Sequence, residues 1–174
     1  MYMKLIKVGT KGFYAQVDDE DYEKINKVNW HSHKDTYAIR HSYIGRENGK
    51  SKYSTQLMHR VIMEIDKSNV YIDHIDGNGL NNQKSNLRLT DKIKNTWNRG
   101  VRKYQKNKYK GVQYYKDPTS KYECWKASIR ANDKTYTKCY NLEIEAAMWY
   151  NEKAKELHGE FAKLNEIQEW REQL

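Results

Sequence analysis

Asp73 and His74 stand side by side ahead of a stretch rich in Asn and Gly, "DGNGLNNQKSN". A neutral histidine is a base that can activate water near neutral pH. A hard divalent cation such as Mg²⁺ prefers oxygen ligands and keeps several waters, so one carboxylate and one amide oxygen can suffice. Asp73 offers the carboxylate, and Asn95 offers the amide from a following helix. These residues predict a metal completed by a substrate phosphate, with His74 taking a proton from water.

Two alternatives stay open at this point. Asn98 lies about one helical turn beyond Asn95 and competes for the role of second ligand. A lone Asp-His pair in a loop is also typical of a surface salt bridge. Four other histidines have no partner pattern and are interpreted as unremarkable: His31, His33, His41 and His158.

The elements that must position these residues are short. Residues 70–90 read as two strands around a polar loop, and Thr90 suits the N-cap of the next helix. The Asn48-Gly49 dipeptide predicts a tight hairpin turn. Ahead of the site the pattern predicts a strand pair at 4–17, a helix at 18–27, strands at 36–44 and 52–57, and a helix at 57–65.

The segment "YIDHIDGNGLNNQKSNLRLTDKIKN", with "LMHRVIM" upstream, resembles the core of HNH endonucleases. The resemblance implies a β-hairpin followed by a helix, the ββα-metal motif, with Asn95 where the family name implies His. It implies His74 as general base, Asp73 and Asn95 as metal ligands, and Asn86 as a brace of the hairpin.

The same resemblance covers His59 and Arg60 in the upstream segment. His59 either belongs to the catalytic set or braces the fold, and Arg60 is a candidate contact for the scissile phosphate. The loop residues Asn78, Asn81 and Asn82 are expected to supply turns and local hydrogen bonds.

Residues 109–165 read as three strands followed by one amphipathic helix at 143–159, with Gly159 at its C-cap. The pieces "YKGV", "WKASIR" and "EIEAAMWYNEKAKELHGEFAKLN" resemble the APETALA-type DNA-binding domain of plant ethylene-response factors. That resemblance implies a sheet in the DNA major groove with the helix behind it. Carried over by position, the DNA-facing residues are Lys110, Gln113, Tyr115, Arg130, Lys134 and Tyr136. Lys126 is a further candidate, as a phosphate contact.

This module departs from the plant pattern at several groove positions, where Gln113 and Tyr115 stand in place of Arg. The plant recognition sequence is therefore not transferred.

The charge distribution supports a polyanionic partner. The chain of 174 residues has a net charge of +9, and residues 96–142 alone hold 12 Lys and Arg against 3 Asp and Glu. Residues 143–174 hold 4 against 8. Tyr and Trp interleave with the basic residues, which favours nucleic acid over a membrane surface. The alternative is a solvated basic linker.

Composition excludes several classes. No apolar run approaches the roughly 20 residues of a membrane span, and the N-terminus lacks the apolar core of a signal peptide. The two cysteines, Cys124 and Cys139, form no CxxC pair, so we expect no zinc and a reducing cytoplasm of a bacterial or phage-infected cell.

The sequence thus predicts an α+β chain with four parts: an HNH nuclease domain at 1–99 (strands at 1–56, catalytic core at 57–99), a linker at 100–108, an APETALA-type domain at 109–165 and a tail at 166–174. We expect a site-specific DNA endonuclease of homing type that uses one divalent metal, Mg²⁺ or Mn²⁺. Its partner is double-stranded DNA, without a small-molecule cofactor, and it acts as a monomer or dimer. A DNA-binding regulator derived from a nuclease and a defence nuclease are the alternatives.

Overall fold

The computed structural model describes residues 2–101 and 107–167, which divide into two units. The first is Met1–Asn95 and the second is Thr96–Leu174. This division falls ahead of the segment 100–108 that the sequence predicts as a linker. Residues 102–106 of that segment, and 168–174 of the predicted tail, lie outside the described residues.

The first unit contains three small antiparallel sheets and short helices. In chain order the elements are β1 (Met3–Val8), β2 (Phe13–Asp18), α1 (Asp19–Ile25), β3 (His31–His33), β4 (Tyr37–Glu47), β5 (Lys50–Leu57), α2 (Met58–Ile62), β6 (Tyr71–His74), β7 (Leu87–Thr90) and α3 (Lys92–Trp97). Strands β1 and β2 form a hairpin, β3, β4 and β5 form a three-stranded sheet, and β6 pairs with β7. The division between the units falls inside α3.

The hairpin predicted at Asn48-Gly49 is confirmed. Both residues have positive φ, 51° and 76°, as a two-residue turn that matches the twist of its strands requires. Because the turn is this tight, strand pairing continues up to Glu47 and Lys50. The strands β4 and β5 are therefore longer than the sequence predicts.

Two helix ends differ from the prediction. Helix α2 ends at Ile62 rather than at residue 65, because Glu64 takes a left-handed conformation with φ 54°. Helix α3 is capped by Asp91 rather than by Thr90. The Asp91 Oδ1 accepts hydrogen bonds from the backbone N–H groups of residues 93 and 94 at 2.9 and 2.8 Å, while Thr90 ends strand β7.

The core of the first unit holds the candidate site in place. Trp30 is 2% exposed, and its indole N–H donates to the carbonyl of Ile25 at 2.8 Å. Met58 of α2, Ile72 of β6 and Leu87 of β7 belong to the same buried cluster. The segments that carry His59, His74 and Asn86 are thus anchored by their apolar neighbours.

The second unit is a three-stranded antiparallel sheet covered by one helix, with the strand Glu123–Ala131 (β9) between Val112–Lys116 (β8) and Lys134–Tyr140 (β10). Small residues of the helix, Ala146, Ala147 and Ala154, are buried, and Tyr150 packs so closely over Gly111 that a Cβ there would overlap its ring. The prediction of three strands and a helix is confirmed, as is the broader mixture of small antiparallel sheets with few helices. The elements are β8 (Val112–Lys116), β9 (Glu123–Ala131), β10 (Lys134–Tyr140) and α4 (Glu143–His158).

Within the described ranges, no helix is long and apolar enough to cross a membrane.

Candidate active site

Asp73 and His74 are the last two residues of β6, and both are buried, at 6% and 5% exposure. They lie opposite Arg88 and Leu87 of β7. A solvated surface pair would not be buried in this way, so the structure disfavours the surface alternative. The polar pair instead lies at the edge of the core that Ile72 and Leu87 build.

Two aromatic rings, those of His59 and Tyr37, lie against the ring of His74. The ring of His59, from α2, stands perpendicular to it with the centroids 5.0 Å apart. The ring of Tyr37, at the start of β4, lies 5.8 Å from His59 and 5.9 Å from His74. Sequence analysis missed Tyr37, since nothing local marks a residue that lies so far from His74 along the chain.

Gly79 brings the polar loop against this cluster. A Cβ at Gly79 would overlap the carbonyl oxygen of Thr36 and lie 2.6 Å from the Tyr37 ring. The loop after β6 can therefore approach β4 only because this position has no side chain.

Asn82 sets the orientation of the His74 ring. The Asn82 amide group donates to the Leu80 carbonyl at 3.1 Å, which turns its Oδ1 toward Nε2 of His74 at 3.4 Å. An amide oxygen accepts, so this contact favours the neutral tautomer with its proton on Nε2. In that tautomer the basic lone pair is on Nδ1.

Burial keeps both clustered histidines neutral. Desolvation is the largest cause and lowers the pKa of His59 to about 3, with the nearby His74 and Arg60 adding to the effect. Burial also lowers the pKa of His74, against the opposing pull of the Asn82 hydrogen bond and the carboxylates of Asp76 and Asp73. At neutral pH His74 is therefore a base rather than a cation.

Asn86 ties the two strands of the hairpin together. Its Oδ1 accepts from the backbone N–H of Asp76 at 3.1 Å, and its Nδ2 donates to the Asp76 carboxylate and the Asn81 carbonyl, both at 2.9 Å. Its own carbonyl accepts from the backbone N–H of Ile75 at 2.9 Å. These bonds hold the chain directly after His74.

Asp76 organises the polar loop, and sequence analysis gave it no role. Its carboxylate accepts from the backbone N–H of Asn78 at 2.7 Å and from the side chain of Asn81 at 2.8 Å. Burial would raise the pKa of Asp76, but these hydrogen bonds and that of Asn86 outweigh it and lower the pKa. The loop asparagines Asn78, Asn81 and Asn82 all make the local bonds expected of them.

The carboxylate of Asp73 is held by Arg88, the residue directly opposite it. Nε and one terminal nitrogen of Arg88 donate to the same oxygen, Oδ2, at 2.9 and 2.7 Å. The pair is mostly buried, so solvent screens it little. Arg88 stands in the "NLR" part of the HNH-like segment, yet the sequence alone assigned it no role.

The donor set fits a metal only with outside ligands. Among the described residues, no three or more His, Cys, Asp or Glu side chains converge to hold a metal ion. Asp73 and an Asn amide would supply two oxygens, which suits a hard cation that keeps waters and binds substrate phosphate. The residues present are compatible with Mg²⁺ on those terms.

Curated relatives point to one family. The chain is 34% identical over 175 residues to an uncharacterized HNH endonuclease of Acanthamoeba polyphaga mimivirus, with 96% of this chain and 82% of that protein covered. The chain belongs to the HNH endonuclease family. It is also 36% identical over 93 residues to Protein 3.8 of Escherichia phage T7, covering 53% of this chain and 74% of the relative. No family model and no solved structure matches.

The remaining candidate site residues differ in burial and in their hydrogen-bond partners. Asn95 is half-buried in α3, and its N–H donates to the Asp91 carbonyl at 3.0 Å. Asn98 follows the last residue of α3, is buried, and belongs to the second unit. The Arg60 guanidinium donates to the carbonyls of Val70 and Lys67 at 2.9 and 2.5 Å, a bracing role that the sequence did not indicate.

The strand register sorts the predicted DNA-facing residues of the second unit. Gln113 lies opposite Lys126, and Tyr115 lies opposite Cys124. Because side chains alternate along a strand, Gln113, Tyr115, Lys126 and Arg130 share the face turned away from α4. Arg130 is 71% exposed, and Lys126 places its ammonium 5.8 Å from the Tyr115 ring.

Three predicted residues do not share that face. Tyr136 lies opposite the buried Ile129, and Lys134 lies opposite Ala131, so both are on the helix side. Lys110 is half-buried, its Nζ donates to the Trp97 carbonyl, and burial lowers its pKa to about 8, with Lys163 adding to the effect. The resemblance placed all three toward DNA; the register and burial put them off the outer face of the sheet, and their contact with DNA stays a prediction.

Proposed function

We propose that this HNH chain is a metal-dependent, site-specific DNA endonuclease of the homing type. His74 acts as the general base: its Nδ1 takes a proton from the water that attacks the scissile phosphodiester. The observation that carries the proposal is the buried, neutral His74 ring, whose Nε2 is engaged by Asn82.

Asp73 and Asn95 would hold the divalent metal, Mg²⁺ or Mn²⁺. Such an ion, when bound, stabilises the negative charge that develops on the phosphate. Arg88 fixes the Asp73 carboxylate through Oδ2. Asn86 keeps the hairpin closed after His74, so that base and carboxylate keep their relative positions.

The second unit would supply affinity and target choice through the outer face of its sheet. A three-stranded sheet can present side chains to the major groove, as in the APETALA-type domains that this region resembles. Gln113, Tyr115, Lys126 and Arg130 are the residues that its register makes available. The charge of +9 over residues 96–142 favours the approach to a polyanion.

The homing role is proposed because a separate sheet with an exposed polar face fits an enzyme that cuts particular sites. The two relatives come from a mimivirus and from phage T7. Double-stranded DNA is the proposed substrate.

Supercoiled plasmid tests the function directly. The full chain with Mg²⁺ should convert supercoiled DNA to nicked or linear forms, EDTA should stop the reaction, and added Mg²⁺ or Mn²⁺ should restore it. A His74→Ala chain purified in parallel reports contaminating nuclease. A chain that shifts DNA in a gel yet never nicks it, with any of these ions, would instead be a DNA-binding regulator.

A further inference from the structure

The outer part of the β4–β5 hairpin projects beyond the rest of the first unit. Strand β3 pairs only with the first three residues of β4, Tyr37 to Ile39, so residues 42–54 have no third strand beside them. We call these residues the ribbon. Its large side chains are open to solvent: Tyr43 and Tyr53 are each 58% exposed, and Ile44 is 55% exposed.

One face of the ribbon combines aromatic rings with a cation. Tyr43 and Tyr53 are cross-strand partners, and their rings meet edge to face with centroids 5.8 Å apart. The register shifts between Tyr43 and Gly45, so an extra residue enters β4 there. As a result Arg46 pairs with Ser51 and lies on the same face as the two tyrosines.

The charge of the ribbon favours an anionic partner. It carries Arg46, Lys50 and Lys52 against a single carboxylate, Glu47. Lys52 donates to Glu47 at 2.7 Å on the other face, so the tyrosine face holds a cation and no acid. Two adjacent exposed tyrosine rings beside a cation form a surface that suits contact with nucleic acid.

We infer that the ribbon enters the groove of the DNA duplex beside the cleavage site and contributes to target choice there. The inference rests on the proposed function for its substrate. A two-stranded ribbon is narrow enough for the major groove, which is about 12 Å wide. The tyrosine hydroxyls and Arg46 then reach base edges and phosphates.

The distance from the cut follows from the strand. The ring of Tyr37 lies 5.9 Å from that of His74, and Tyr43 lies six residues further along β4. At about 3.4 Å per residue, the tyrosine rings of the ribbon begin about 20 Å from His74, the proposed general base. The rise of DNA is about 3.4 Å per base pair along the helix axis, so a ribbon that follows this axis makes contacts about six or more base pairs from the cut.

The double variant Tyr43→Ala/Tyr53→Ala, in the full chain, tests this inference. Both side chains are exposed, so the fold should melt as the wild type does. We expect the Kd for target DNA to rise by about tenfold or more, with the cutting rate at saturating DNA unchanged. Tyr14→Ala, which removes a similarly exposed tyrosine at 51% exposure from β2, is the matched control.

Nuclease protection, measured in a His74→Ala background, adds the geometric readout. In the double variant, protection should be lost at positions about six or more base pairs from the cut. A second variant, Arg46→Gln, should reduce the steepness of log affinity against log salt by the amount expected for the loss of about one phosphate contact.

Affinity and protection that match the wild type in the double variant would overturn the inference, and magnesium-dependent nicking would leave the proposed function intact. A wild-type chain that binds DNA through the ribbon yet never nicks it would overturn the proposed function instead, and leave the ribbon as a DNA contact.

Discussion

The β6–β7 hairpin and the sheet of the second unit treat polar side chains in opposite ways. In the hairpin, Asp73, His74 and Asn86 are buried, and each is held by named partners. In the sheet, Gln113 and Arg130 are exposed, and the ion pair of Arg130 with Asp133, at 3.3 Å, is open to water.

The difference teaches which job each surface can do. A general base must be kept neutral and oriented before the substrate arrives, so burial and hydrogen bonds are needed around it. A side chain that reads DNA must exchange water for bases and phosphates, so it stays exposed until the duplex binds. Substitutions in each region test this contrast.

His74→Ala should lower the nicking rate more than any other substitution considered. Removal of the proposed general base should lower the single-turnover nicking rate by about 10²–10⁴-fold. Because the face proposed to read DNA is untouched, affinity measured by anisotropy in EDTA should stay close to that of the wild type. His33→Ala, which removes an exposed histidine of β3, is the control. Cutting at the wild-type rate by His74→Ala would rule out its role as base, and joint loss of folding and binding would make it a structural residue.

The two asparagines at the end of α3 belong to different units, Asn95 to the first and Asn98 to the second. Asn95→Ala should raise the Mg²⁺ concentration for half-maximal nicking by about tenfold or more, since even outer-shell partners of metals cost that much. Asn98→Ala changes a residue of the second unit and should leave the Mg²⁺ requirement unchanged. A metal titration of nicking decides between them, and the reverse result would transfer the ligand role to Asn98.

Arg130→Gln should break the exposed region. Loss of a base-edge contact should weaken binding to the target by about 1–3 kcal/mol and relax specificity locally. Lys134→Gln removes a positive charge from the helix side of the same sheet, so its effect should be smaller and independent of DNA sequence. Competition binding with target and scrambled duplexes measures both. Equal losses for the two variants would mean that only net charge matters.

How far the sequence could predict the structure depends on the range of each interaction. The Asn48-Gly49 turn, the strands β6 and β7 and the Asn loop follow from neighbouring residues, and those predictions hold. Tyr37 and Arg88 could not be assigned in this way, because their contacts with His74 and Asp73 depend on how separate strands come together.

It is harder still to predict from sequence on which face of a sheet a strand residue lies. Lys134 and Tyr136 were expected to face DNA, but a shift of one residue in strand register moves a side chain to the opposite face. Only the observed pairing of Tyr136 with Ile129 assigns it to the helix side. Burial of Lys110 likewise depends on Trp97, whose carbonyl accepts from it.

Acid should destabilise the folded site through His59. The pKa of His59 is about 3 in the folded chain, with burial as the main cause, against an ordinary value of 6.5. Between these values the unfolded chain binds more protons, so the free energy of unfolding falls as the pH drops from 6.5 toward 3. For this histidine the loss from pH 7 to pH 5 is about 2 kcal/mol. Burial of His74 acts in the same direction, because its pKa is lowered too.

Urea unfolding at a series of pH values measures this dependence. His59→Phe keeps a ring beside Tyr37 and cannot titrate, so its stability should change less between pH 7 and pH 5 than that of the wild type. His33→Phe replaces an exposed histidine and should retain the wild-type dependence. If His59→Phe and the wild type lose stability equally on acidification, His59 is not held neutral by burial. The contrast between the buried hairpin and the exposed sheet would still rest on His74, Asp73 and Asn86.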